Sequence, residues 1–350
     1  MKFLAGFMAA LAALALLYLG AIRWVDPRGE FGGGRFPVVE MDARAEKMRL
    51  FRASREAAAP VGLILGSSRA MKLRPQTLAA AAGAPFFNFA VDNARAEDYL
   101  AIYRWVRQQG VPVRFLVIGL DVEALHDDDK PDPGLVRNDE LIQALLRGGM
   151  PEPGILAGMT RPGPLRLLKK YKGTFRIEYV NDAVRSLRLF WRPADRPLPL
   201  LEFEPDGYLR YRRWEVQRAA GTFRFDEDME RCLAKYLGRF DHMNRLSERR
   251  RAYLREVVEE AHGEGARVLV WITALHRQTE QYLEARTSYA SLLQATRAYE
   301  EAIAREDDVV TYDFSRPESY QGTVSGWYDC AHIDEANADR VAESLARALH

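Results

Sequence analysis

Short apolar runs alternating with helix-patterned segments constrain this chain more than any other feature. The runs at 61–65, 86–89, 113–118, 268–273 and 308–313 have strand length, and turn residues such as Gly66 and Gly119 bound them. Helical spacing follows at 73–82, 94–109, 248–262, 280–305 and 335–349, with a leading helix at 41–58. Gly110 stops one of these helices, and Gly263 with Gly265 closes another. Strands that alternate with helices predict a parallel sheet with helices on both faces, an α/β fold. Ligands of such sheets bind beyond the carboxyl ends of the strands. Residues 66–69, 90–93, 119–121 and 274–276 therefore carry most of the functional interest.

The N-terminus obeys a different rule. Residues 3–22 are twenty positions without a charge, and Lys2 and Arg23 bracket them. At 1.5 Å per residue they span roughly 30 Å, the thickness of a bilayer core. A cleaved signal peptide is the alternative, but its apolar region is normally shorter, and Leu19-Gly20-Ala21 makes a poor cleavage site. The expectation is a single-pass transmembrane signal anchor over 1–25, a linker and leading helix over 26–59, and a main domain over 60–350 held outside the cytoplasm. Between 122 and 228 the strand–helix rhythm fails. That stretch is expected to be an insertion, a lid or substrate wall over the active edge.

Charge narrows the function. Lys+Arg minus Asp+Glu is 50 − 49 = +1, so no bulk field draws the chain to nucleic acid. Two cysteines, Cys232 and Cys330, are too few for a disulfide scaffold or a Cys-rich zinc site. They could form one bridge, and the sequence does not decide whether they do.

Two clusters could carry chemistry. Gly66-Ser67-Ser68-Arg69 follows the first strand, where a serine on a tight turn could be joined by free N–H groups of the adjoining helix. The same wording also suits an ordinary strand-to-helix turn. Asp329-Cys330-Ala331-His332 precedes the last helix. A carboxylate three residues from an imidazole can orient it, and the imidazole can take a proton from a serine. A capping Asp and a structural His are the plainer alternative.

Together, a serine after the first strand and Asp-x-x-His before the last helix resemble the SGNH (GDSL-like) hydrolase superfamily. The resemblance covers about 60–121 and 265–348. The blocks Leu-Gly-Ser-Ser-Arg, Phe-Asn-Phe-Ala, Val-Ile-Gly-Leu-Asp and Asp-x-x-His stand in order. Their wording is most similar to membrane-anchored members linked to O-acylation of cell-surface polysaccharide, and to the lipoteichoic-acid D-alanylation protein. The resemblance implies a flavodoxin-like three-layer α/β/α sandwich with a five-stranded parallel sheet. It implies Ser68 as nucleophile, His332 as general base and Asp329 as the residue that orients it. Two departures stand out. Asn93 takes the place of the usual oxyanion glycine, and Leu120 that of the usual donor Asn. Leucine cannot donate; Asn tolerates a left-handed backbone and could still present its N–H.

Other residues share this edge. Asp121 fixes neighbouring loops or makes a structural hydrogen bond. His276 contacts substrate or rivals His332 as base. Arg69 binds an anionic group or pairs with a carboxylate. Asp127, Asp128, Asp129 and Asp132 match no cation loop, and the segment 208–214 mixes aromatics with arginines that could grip a sugar chain or form a strand with a solvated basic face. Cys330 reads as a small buried filler and not a nucleophile. The resulting expectation is a membrane-anchored serine esterase or O-acyltransferase, outside the cytoplasm, acting on acylated polysaccharide or another acyl donor without metal or cofactor. The competing expectation is a non-catalytic accessory protein of a multi-pass membrane acyltransferase, or a glycan-binding protein.

Overall fold

The computed structural model describes residues 2–29, 31, 35–57, 61–128, 130–147, 173–193, 199–307 and 309–349. Much of the expected linker (30 and 32–34), Asp129, Asp308, and residues 148–172 and 194–198 of the expected insertion lie outside them. In chain order the elements begin with α1 (Lys2–Val25), α2 (Ala43–Ala57), β1 (Gly62–Leu65), α3 (Pro75–Ala82), β2 (Phe86–Asn88), α4 (Ala96–Gln108) and β3 (Phe115–Leu120). Next come α5 (Pro133–Arg137), α6 (Asp139–Leu146), α7 (Ile177–Trp191), a short hairpin of β4 (Glu202–Phe203) and β5 (Leu209–Arg210), α8 (Arg212–Ala219) and α9 (Phe225–Phe240). The chain finishes with α10 (Glu248–Gly263), β6 (Arg267–Ile272), α11 (Arg277–Glu284), α12 (Tyr289–Asp307), β7 (Val310–Asp313) and α13 (Glu335–Ala346).

Five strands make one all-parallel sheet in the order β2-β1-β3-β6-β7. This is the doubly wound order in which the chain first steps one way across the sheet and then reverses. Right-handed crossovers that step in opposite directions put their helices on opposite faces. Accordingly α3 packs with α13 on one face, and α4 with α10 on the other. Every residue of β1, and all of β3 after Phe115, is buried, as a sheet covered on both sides requires. Phe51, Phe87, Phe89 and Trp105 form an aromatic cluster in one of the helix–sheet layers. The expected α/β sandwich is the fold observed.

Two expectations change in detail. The helix expected over 280–305 is two helices, α11 and α12. The Thr287 hydroxyl donates to the Leu283 carbonyl at 2.8 Å and accepts from the Tyr289 N–H at 3.2 Å. That side-chain competition ends one helix and starts the next. The region 122–228 is not one body. The chain divides into two compact units, Met1–Glu46 with Glu152–Leu198, and Lys47–Pro151 with Pro199–His350. Residues 173–193 fall in the first unit, 122–147 and 199–228 in the second, and α9 runs on past 228 to Phe240.

The smaller unit contains α1 and α7. Residues Phe3–Val25 of α1 form a helix long and apolar enough to cross a membrane, and its apolar window is not buried. Ile22 and Val25 pack with Phe36, Tyr179 and Ala183.

Candidate active site

The site lies in the larger unit, at the carboxyl edge of the sheet, where β1 and β3 end and the loop before α13 arrives. β1 ends at Leu65, and Gly66 follows it with a φ of +150° that only glycine adopts readily. A Cβ there would lie 2.6 Å from the Ala70 Cβ and 3.1 Å from the Gly119 carbonyl oxygen, so the turn also needs the missing side chain. Residues 67–73 then wind through consecutive turns, closed by Ala70 N–H to Ser67 O and Leu73 N–H to Ala70 O, each 3.0 Å. Asn88, at the end of β2 and fully buried, staples this loop. Its Nδ2 donates to the carbonyls of Ala70, Met71 and Leu73, and its Oδ1 accepts from the Ala90 N–H. The expected helix N-terminus beside Ser68 is therefore absent. α3 begins only at Pro75, because the 67–73 turns intervene, and its N–H groups do not adjoin Ser68.

Ser68 and His332 meet across 264 residues of sequence, with His332 Nε2 2.9 Å from Ser68 Oγ. The other ring nitrogen, Nδ1, lies 2.8 and 2.9 Å from the two Asp329 oxygens. Asp329 Oδ1 also accepts the backbone N–H groups of Ala331 and His332. Burial alone would raise the Asp329 pKa, but His332 and these two N–H groups outweigh it and hold the carboxylate below its ordinary range. An ionised Asp329 keeps the proton on Nδ1, which leaves Nε2 as the acceptor facing the Ser68 hydroxyl.

Aromatic rings back the imidazole. The centroids of Tyr211 and Trp214 lie 5.6 and 6.4 Å from His332, and Tyr328 stacks on Trp214. The 208–214 segment is thus a β5 strand leading into α8, and Tyr208, Tyr211 and Trp214 are buried. Its aromatics hold His332 in place and offer no open platform to a sugar. Beneath them the buried Lys72 ammonium pairs with Glu335 and lies over the rings of Tyr208 and Tyr211.

In front of Ser68 lies a cavity of about 350 Å³, lined in part by Ser67, Asn93, Asp121, Glu123, Arg95 and Arg239. Asn93 has a φ of +48°, the left-handed backbone that Asn accepts better than most residues. Its Oδ1 accepts from Arg239 Nη2, which leaves its NH₂ as the donating end of the amide. Leu120, at the end of β3, is fully buried and offers the cavity no donor.

The remaining expected site residues have structural partners. Arg69 is buried in a cluster with Asp121, Glu123, the Thr273 hydroxyl and the Tyr236 hydroxyl. It scaffolds the floor and does not present its charge to the cavity. Asp121 accepts from Thr273 Oγ1 at 2.5 Å. Burial, followed by Glu123, raises its pKa against the opposing pull of Arg69 and the hydroxyls of Ser67 and Thr273. His276 is not the base that meets Ser68. It caps α11, accepting from the Gln278 N–H at Nδ1, and packs between Phe225 and Trp327. Burial lowers its pKa, against a backbone bond to Val324.

Cys330 is buried as expected, but it is bonded to Cys232 of α9. The same helix carries Tyr236 and Arg239, so one face of α9 touches the Asp329–His332 loop, the Arg69 cluster and Asn93. The spacing 232, 236, 239 is one helical face and was the available signal. Among the described residues, Cys232, Asp329 and Cys330 are grouped closely enough to hold a metal ion, but their two sulfurs are bonded to each other.

No family model matches this chain, and no curated protein matches it either.

Proposed function

We propose that this chain is a membrane-anchored serine esterase or O-acyltransferase, working outside the cytoplasm on acyl esters of cell-surface polysaccharide. The observation that carries the reading is the Ser68–His332–Asp329 hydrogen-bond chain at the carboxyl edge of a doubly wound sheet. It supports the resemblance to the SGNH superfamily, because the serine and the Asp-x-x-His come from opposite ends of the chain.

In this reading Ser68 Oγ attacks the ester carbonyl while its proton passes to His332 Nε2. Asp329 holds Nδ1–H and stabilises the imidazolium. The tetrahedral oxyanion takes a hydrogen bond from the Asn93 amide, in place of the donor that Leu120 lacks. His332 then protonates the departing alcohol, leaving an acyl-serine. An incoming hydroxyl, of water or of a sugar, gives its proton to His332 and takes the acyl group, and Ser68 is restored. The cavity's charged and amide lining suits a polyol acceptor better than a long acyl chain.

The α1 helix supports the anchor, and the Cys232–Cys330 disulfide supports an oxidising compartment. The test is turnover of an acetyl ester by the full chain in detergent, with and without added oligosaccharide. Ser68→Ala should abolish both release and transfer. Leu120 favours one second reading, an accessory protein that serves a membrane acyltransferase. That reading expects no turnover by folded wild-type protein alone.

A further inference from the structure

Helix α7 is apolar on two opposite faces, and among the described residues one packs on α1 while the other is exposed. Tyr179 and Ala183 pack on Ile22 and Val25 of α1, with Leu187 and Tyr18 alongside. The Tyr18 hydroxyl bonds the Thr174 carbonyl, and its ring stacks on Phe175 at 5.1 Å. Arg28 pairs with Asp182, and the Ser186 hydroxyl donates to the Pro37 carbonyl. These contacts hold α7 against the last two turns of α1.

The opposite face carries Ile177, Val184 and Trp191, which are 66%, 60% and 77% exposed. Steps of seven residues fall 20° short of two turns, so the three form one stripe; Ile177 is 200° from Tyr179, on the far side. Phe175 extends this exposed surface, and Arg185 and Arg192 flank it, also exposed. An apolar stripe edged by arginines, with Trp among its members, is the pattern of a helix lying in a membrane interface.

Continuity with α1 names the occupant. Tyr18 lies four residues before Ile22, roughly 6 Å inward from the polar end of the apolar run. A bilayer crossed by α1 therefore meets α7 at the boundary between acyl chains and headgroups. We propose that α7 is an interfacial membrane helix, with Ile177, Val184 and Trp191 in the acyl boundary and Arg185 and Arg192 among the lipid phosphates. This rests on α1 being a retained anchor.

The test uses the full chain in vesicles of phosphatidylcholine and phosphatidylglycerol. Single spin labels go on Ile177→Cys, Val184→Cys and Trp191→Cys; the native cysteines are bonded to each other and do not compete. Leu11→Cys in α1 and the exposed Val324→Cys serve as apolar and aqueous references. Each α7 label should collide with oxygen in several-fold preference to a water-soluble nickel chelate, between the two references. Collision ratios equal to that of Val324→Cys would overturn the proposal. So would protection from both agents, which means a protein surface, such as a second copy, covers the stripe. If Leu11→Cys itself reads as aqueous, the anchor has failed, and the α7 proposal falls with it for that separate reason.

Discussion

A disulfide between Cys232 and Cys330 fastens α9 to the loop that carries Asp329 and His332. Its sequence separation of 98 residues makes loop closure its main stabilising effect. Replacing both cysteines by serine should cost about 2–5 kcal/mol, read as a lower urea midpoint. The loss should be reproduced by a reducing agent on wild type. An unchanged midpoint would mean that packing alone holds α9 on this loop.

Asp329 accepts Nδ1–H of His332 and two backbone N–H groups. Asp329→Asn keeps the shape but can present an NH₂ to Nδ1 and favour the wrong tautomer. Ester turnover should fall by about 10³–10⁴, with near-native circular dichroism. A loss under tenfold would show that Asp329 is only a capping residue.

Substitutions at Asn93 and Arg239 test oxyanion binding apart from general acid–base work. Asn93→Ala should cost about 10²–10³ in kcat, with little change in KM. Arg239→Ala should show a smaller loss in kcat, partly restored in Arg239→Lys, because Arg239 acts by holding the Asn93 amide. Both side chains lie at the cavity rim, so melting temperatures should barely move. Equal losses in kcat and stability would mark the pair as structural.

Glu300 provides a pH signature away from the site. It is buried on α12, and its Oε1 has no hydrogen-bond partner. Burial, followed by the neighbouring Asp313, raises its pKa to about 8. Between the ordinary carboxylate value and 8 the folded protein binds this proton and the unfolded chain does not, so stability falls as pH rises through that window. Glu300→Gln should match wild type near pH 4 and exceed it above pH 8, by up to about 5 kcal/mol. Denaturant midpoints at the two pH values would decide; a gain equal at both would exclude titration of Glu300.

The legible parts of the sequence were those with local periodicity. The runs at 61–65 and 268–273 read as buried strands because a sheet covered on both faces needs continuous apolar residues. Ser68 and His332 could be paired because a serine after the first strand and an Asp-x-x-His before the last helix are the blocks that carry the resemblance. The turns at 67–73 were not legible. They are held by the buried side chain of Asn88, a contact between elements that no local pattern announces. The fate of Arg69 and His276 was equally hidden. Residues after a strand look site-facing, and only the positions of Asp121, Glu123 and Trp327 show that these two are internal. The division of 122–228 depends on α7 packing with α1, a pairing far apart in sequence.

The most direct measurement is labelling of the full chain with a serine-reactive fluorophosphonate, followed by peptide mass spectrometry. The account predicts one dominant adduct, on Ser68, absent in Ser68→Ala and slowed at least about 10²-fold in His332→Ala. No adduct in protein shown to be folded, or labelling of Ser68 indifferent to His332, would contradict the claim that the hydrogen-bond chain activates a nucleophile.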